Sequence, residues 1–123
     1  MTRLDFLAPP YGFTSTAFEL VAVGGSDGLA ALREAAGSAR LFVLEAARHL
    51  PSYRPELPAI DVEELGGREG LALYLVVNPS GEAITVNLAA PILVAADGRA
   101  RQVILDRGGW PMRMPLAEVL AAA

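Results

Sequence analysis

Between Leu71 and Leu105, apolar runs of strand length alternate with turn-forming residues. Leu71–Val77 (LALYLVV) reads as a buried strand, and Asn78-Pro79-Ser80-Gly81 has the chemistry of a turn. Ala83–Val86 is a further strand, followed by Asn87-Leu88-Ala89-Ala90-Pro91. Ile92–Ala95 and Arg101–Leu105 then flank Ala96-Asp97-Gly98-Arg99. An Asp-Gly pair between two apolar runs signals a hairpin, because glycine reaches positive φ without a Cβ clash. Short strands at this regular spacing predict an all-β or β-rich fold, an antiparallel sheet or barrel.

The first half is less regular. Pro9-Pro10-Tyr11-Gly12 is an early turn, and Ala17–Val23 reads as a strand that stops at Gly24-Gly25-Ser26-Asp27-Gly28. Leu29–Ala36 has helical propensity, with Ser26 or Asp27 suited to cap a helix start. Leu41–Glu45 is a compact apolar run of strand length. Pro51, Pro55 and Pro58 break the backbone three times within eight positions, which predicts an extended loop. Asp61–Leu65 is a short acidic helix or turn closed by Gly66-Gly67, and Pro115 opens a last short helix through Leu120. No linker or repeat divides the 123 residues, so a single domain spans 1–123.

The side chains exclude much chemistry. All 10 basic residues are Arg, and 14 acidic ones bring the net charge to −4, a poor balance for gripping phosphate backbones. The absence of Cys removes disulfides, thiolate nucleophiles and Cys-ligated metals. His49 is the only His, so a His-based metal centre has no second imidazole, and a surface position is expected for it. No Ser sits in a G-x-S-x-G elbow, and the glycine-rich 24–28 stretch lacks the Lys of a phosphate loop. Asp61, Glu63 and Glu64 form either a solvated helix face or a carboxylate pair for acid–base chemistry. Arg99, Arg101 and Arg107 either meet an acidic partner or blunt an edge strand. No catalytic residue, cofactor or metal is expected. No signal peptide starts the chain, and no apolar run approaches the ~18 residues of a membrane helix, so the expected location is cytoplasmic.

One pattern is more specific. Val76-Val77-Asn78, then Thr85-Val86-Asn87-Leu88-Ala89-Ala90-Pro91-Ile92-Leu93-Val94, then Arg101-Gln102-Val103-Ile104-Leu105, resembles the FliW family of flagellar assembly factors. The early Pro10-Tyr11-Gly12-Phe13 turn is similar to that family's, as is Pro51-Ser52-Tyr53-Arg54-Pro55-Glu56-Leu57-Pro58 with the acidic stretch after it. The resemblance implies a barrel-like domain with one or two short helices, and a strand rather than a helix at Leu29–Ala36. Four features depart from the pattern, one being Ala95 where Asn is common just after the Ile92–Val94 stretch. Only Met1–Ala8 precede the early turn, so the family's first strand is expected to be short or absent. Leu41–Ala46 replaces an aromatic-rich strand, and Arg54 stands where members often carry an acidic residue.

The resemblance further implies a protein that binds proteins: flagellin, and the translational repressor CsrA, which it antagonises by partner switching. It is expected to bind no nucleic acid or membrane directly and to be a monomer on its own. The alternatives are a diverged barrel with another protein partner, and a small-molecule-binding domain. The partner surface is expected on the Pro-rich loop, with Tyr53, Arg54 and Glu56, and on the neighbouring strand end, Leu41 and Phe42. Tyr53 is either a rigid anchor for a partner or a plug packed on the core under the loop. Leu57 is expected to point inward. Asn87 is expected first to shape the chain, because Asn tolerates left-handed backbone and bonds its own neighbours, and second to contact a partner. Pro91 stiffens the strand that follows it.

Overall fold

The structure is a computed structural model that describes residues 2–25, 28–80 and 83–122. Its strands are β1 (Thr2–Phe6), β2 (Ala17–Ala22), β3 (Leu29–Glu34), β4 (Arg40–Glu45), β5 (Ala72–Ser80), β6 (Ala83–Val86), β7 (Ile92–Val94), β8 (Arg99–Gln102) and β9 (Met114–Pro115). Three short helices accompany them: α1 (Ala46–His49), α2 (Ala59–Glu64) and α3 (Leu116–Ala122). Seven strands close a barrel in the order β4-β3-β2-β1-β8-β7-β5, with β5 returning to β4. β6 and β9 extend from β5 as a side ribbon.

Six of the seven barrel seams are antiparallel and one, β1 with β8, is parallel. An odd number of strands cannot alternate in direction around a closed ring, so one parallel seam is a geometric necessity. β1 is present with five residues, where a short or absent strand was expected. It pairs with β2 along Thr2–Asp5 and closes the ring through Asp5 N–H to the Gly98 carbonyl and Leu7 N–H to that of Ala100, both 2.9 Å.

Every barrel strand sends residues into one interior cluster: Leu4, Phe6, Phe18, Leu32, Val43, Val76, Ile92, Val94 and Ala100 among them. Phe18 is fully buried and meets Phe6 and Phe13 edge-on, at 5.2 and 5.3 Å between ring centroids. A second cluster, including Leu44, Leu75, Val77, Leu93, Tyr53, Leu57 and Val62, lies on the opposite face of β4, β5 and β7. These three strands are therefore buried on both faces. That explains why LALYLVV and Leu41–Leu44 read as continuous apolar runs instead of alternating.

Leu29–Glu34 is a strand, as the resemblance implied, laddered to β2 on one side and β4 on the other. An isolated eight-residue helix is marginal in water, whereas two ladders satisfy the backbone on both edges. Asn78, Pro79 and Ser80 continue β5 instead of turning, paired with Thr85, Ile84 and Ala83. An X-Pro step favours extended backbone, and past Val77 the strand has β6 but no longer β4 beside it, where a sheet tolerates Pro. Gly81, which was expected to complete that turn, and the capping candidates Ser26 and Asp27 lie outside the described residues. The Asp97-Gly98 hairpin forms as expected, but β8 starts earlier, at Arg99. Gly98 has φ +91°, and a Cβ there would stand 2.9 Å from the Arg3 carbonyl oxygen.

Candidate functional site

The Pro-rich loop is an extended segment with strict alternation. Tyr53, Pro55 and Leu57 are buried, while Arg54 and Glu56 between them are exposed. Leu57 thus points inward, as expected. Tyr53 is 5% exposed, its ring 4.9 Å from that of Trp110 in an edge contact. Its hydroxyl donates to the Leu88 carbonyl at 2.6 Å, and burial pushes its pKa up. Of the two placements expected for Tyr53, the structure has the plug packed on the core under the loop: a phenol that satisfies its hydroxyl on the main chain clamps the loop to the barrel. Arg54 and Glu56 are the side chains that the loop exposes.

The clamp reaches the Asn87–Pro91 segment. Leu88 is also held through its N–H, which donates to the Pro111 carbonyl at 2.9 Å. Asn87 Oδ1 accepts the Ala89 N–H at 2.9 Å, the self-bonding expected of it. Its backbone is not left-handed, since no described residue other than glycine has positive φ. Pro91 is fully buried at the start of β7 and accepts the Val103 N–H at 3.1 Å. Gln102 braces two turns at once: Oε1 accepts the Tyr11 N–H at 2.9 Å, and Nε2 donates to the Ala90 carbonyl at 3.0 Å.

Around these braces lies a groove of about 340 Å³. Asn87, Ala89, Ala90 and Gln102 line it together with Leu41, Tyr11, Ile104 and Met112, and none of its described lining residues is charged. Tyr11, Ile104 and Met112 are 55%, 59% and 66% exposed, so half of the large exposed apolar side chains among the described residues converge on this groove. Contiguous exposed apolar surface marks an interaction site more often than scattered residues do. The sequence reading missed these three. The one signal for Ile104 is its place between Val103 and Leu105, which both turn inward and leave it outside.

A second groove, of about 520 Å³, runs beside the loop between Tyr53, Arg54 and Glu56 on one side and Arg68, Leu71 and Leu73 on the other. The expected partner residues thus divide in two: Leu41 with Asn87, and Tyr53 with Arg54 and Glu56. No residue lines both grooves, and Phe42 lines neither. Phe42 is half-buried against the outer core, with the Arg40 guanidinium 5.4 Å from its ring centroid.

Asp61, Glu64, Arg99 and Arg101 have partners within the chain. Arg101 bridges Asp61 and Glu64 on α2, each at 3.0 Å, and Arg99 donates to the Glu64 carbonyl at 2.9 Å. These arginines therefore meet an acidic partner within the chain itself, on a strand that lies between two others rather than at an edge. Asp61 and Glu64 serve to dock α2. Arg99 also pairs with Asp97 at 2.8 Å, and its hydrogen bonds hold the Asp97 carboxyl below its usual range. Gly28, with φ +78°, leaves room for His49: a Cβ there would meet the imidazole at 2.5 Å. Among the described residues no group of three or more His, Asp or Glu is placed to hold a metal ion, and no helix is long and apolar enough to cross a membrane.

Fold and surface together define a small closed β-barrel domain with an uncharged apolar groove built on its central motif. The chain belongs to the FliW protein family, whose pattern matches residues 2–116. Among solved structures it is similar to one titled "Crystal structure of the flagellar assembly factor FliW", with a TM-score of 0.81 and 23% sequence identity, over 93% of this chain and 84% of that one. No curated protein sequence matches it.

Proposed function

We propose that this chain is a non-enzymatic, protein-binding regulator of flagellar assembly that binds flagellin and antagonises the translational repressor CsrA by partner switching. The observation that carries this reading is that part of the family-like stretch also lines the apolar groove. Asn87, Ala89, Ala90 and Gln102 line it, beside three exposed apolar side chains and no charge. Such a surface gains free energy by burying itself against another protein. In the proposed switch, flagellin captures the chain while it accumulates. On export of flagellin the chain is released to the repressor. Each binding free energy opposes the other, so the level of one partner sets the fraction bound to the second. This role places the chain in the cytoplasm, as a monomer without cofactor and without direct contact to nucleic acid or membrane. The family's flagellar role and the acidic charge support it, since a net charge of −4 favours approach to an RNA-binding, basic partner.

Arg54 favours a second reading, a barrel of this family that has changed its partner at the loop. Calorimetry with purified flagellin and purified CsrA tests both. Binding of each, with one displacing the other, is the expected result, and failure of both to bind overturns the first reading in favour of the second.

A further inference from the structure

The groove beside the Pro-rich loop has a character unlike the apolar one. Arg54 and Arg68 are exposed at its rim, and neither has an ion-pair partner among the described residues. Arg3, Arg33, Arg48, Arg99 and Arg101 are paired with carboxylates, while Arg40, Arg107 and Arg113, likewise without an ion pair among the described residues, do not line this groove. Leu71 and Leu73, two positions apart and both half-buried, supply an apolar floor.

The loop backbone adds a second element. Residues 53–57 alternate in burial as a strand does, yet no backbone hydrogen bond joins residues 54–57 to another described residue. In extended chain, residues 54 and 56 present their N–H and C=O groups along one edge, and 55 and 57 along the other. The donor that Pro55 lacks falls on the second edge, so the Arg54–Glu56 edge keeps its full pairing capacity. Pro55, Pro58 and the buried Tyr53 hold the segment in place, which lowers the ordering cost of binding.

We propose that this groove takes an extended acidic segment of a protein partner, which pairs with the Arg54–Glu56 edge as an added strand. Its carboxylates lie on Arg54 and Arg68, and an apolar side chain between them rests on Leu71 and Leu73. Glu56 on the same rim disfavours a uniformly charged polyphosphate, which separates this occupant from RNA. The inference rests on the reading of the chain as a protein-binding module, but not on flagellin or CsrA as the partners.

The test is an NMR titration of the isotope-labelled full chain. The probes are a short blocked peptide of alternating Glu and Leu, the same peptide with Gln for Glu, and a short oligouridylate. With the acidic peptide, amide shifts concentrate at Arg54, Glu56, Arg68, Leu71 and Leu73, and hydrogen exchange of the Arg54 and Glu56 amides slows. Added salt weakens this binding, and the double variant R54E/R68E weakens it about tenfold or more with its melting temperature unchanged. The Gln peptide and the oligouridylate leave these resonances in place. Equal binding of the Gln peptide, preference for the oligouridylate, shifts centred elsewhere, or no shift up to about 1 mM peptide each overturns the proposal. If the acidic peptide binds here while flagellin and CsrA do not bind at all, the functional reading fails and the peptide groove stands. If flagellin and CsrA bind while the acidic peptide does not, the groove proposal fails and the functional reading stands.

Discussion

The Tyr53 hydroxyl and the Leu88 carbonyl, 35 positions apart in sequence, meet at 2.6 Å and bind the Pro-rich loop to the segment that lines the apolar groove. Leu88 is itself buried and held from the other side by Pro111. One hydrogen bond thus ties the inward face of the loop to the segment that lines the neighbouring groove.

Tyr53→Phe removes that bond and leaves the Leu88 carbonyl without it. We expect a loss of about 1–2 kcal/mol in urea denaturation, with the barrel still formed. The alkaline limb of stability reports the same group. Burial raises the folded-state pKa of Tyr53 above the ordinary value of 10.0, so the folded state holds its proton where the unfolded chain loses it. The contribution is complete below pH 10.0 and falls as pH rises beyond it, by up to about 1.4 kcal/mol per pH unit. Tyr53→Phe should flatten that fall.

Arg101→Gln breaks both ion pairs to α2 and leaves Asp61 and Glu64 facing one another's charge. The groups are partly exposed, so the expected loss is about 1 kcal/mol, larger at low salt. A double-mutant cycle with Asp61→Asn, measured by thermal melting, should return a favourable coupling; a coupling of zero would remove this role for the pair.

Gly98→Ala and Gly109→Ala separate strain from crowding. Both glycines have positive φ, +91° and +64°, but only Gly98 faces an obstacle, the Arg3 carbonyl at the parallel seam. Gly109→Ala is expected to cost about 1 kcal/mol, and Gly98→Ala clearly more, about 2–4 kcal/mol, read from chemical denaturation.

Ile104→Ser and Met112→Ser change exposed side chains of the apolar groove. Their stability should stay within about 0.5 kcal/mol of the parent. If the groove is the flagellin site, the pair together should weaken flagellin binding by about tenfold or more in calorimetry.

Arg54→Glu reverses the charge at the loop's exposed Arg54. It should tighten binding to a basic repressor such as CsrA, because it removes a like-charge contact, and leave the melting temperature unchanged. Calorimetry against purified CsrA decides, and unchanged affinity would move that contact away from the loop.

What the sequence determined by itself is local. The Asp97-Gly98 turn, the interruption of structure by Pro51, Pro55 and Pro58, and the apolar runs of β4, β5 and β7 follow from backbone sterics and hydrophobicity, which act within a few residues. The family pattern around Asn87–Val94 and Gln102 was also legible, as was Asn87 bonding its neighbour. Tertiary structure alone decided the rest. Leu29–Glu34 became a strand because β2 and β4 satisfy its backbone on both edges, against its helical propensity. Asn78–Ser80 stayed in β5 because β6 pairs with it. Tyr53 turned inward because a carbonyl 35 residues away accepts its hydrogen bond, and Tyr11 forms one surface with Ile104 and Met112 because the fold brings the early turn against the segment after β8. Exposure and distant pairing depend on how the chain closes on itself, and local residue chemistry holds no record of that.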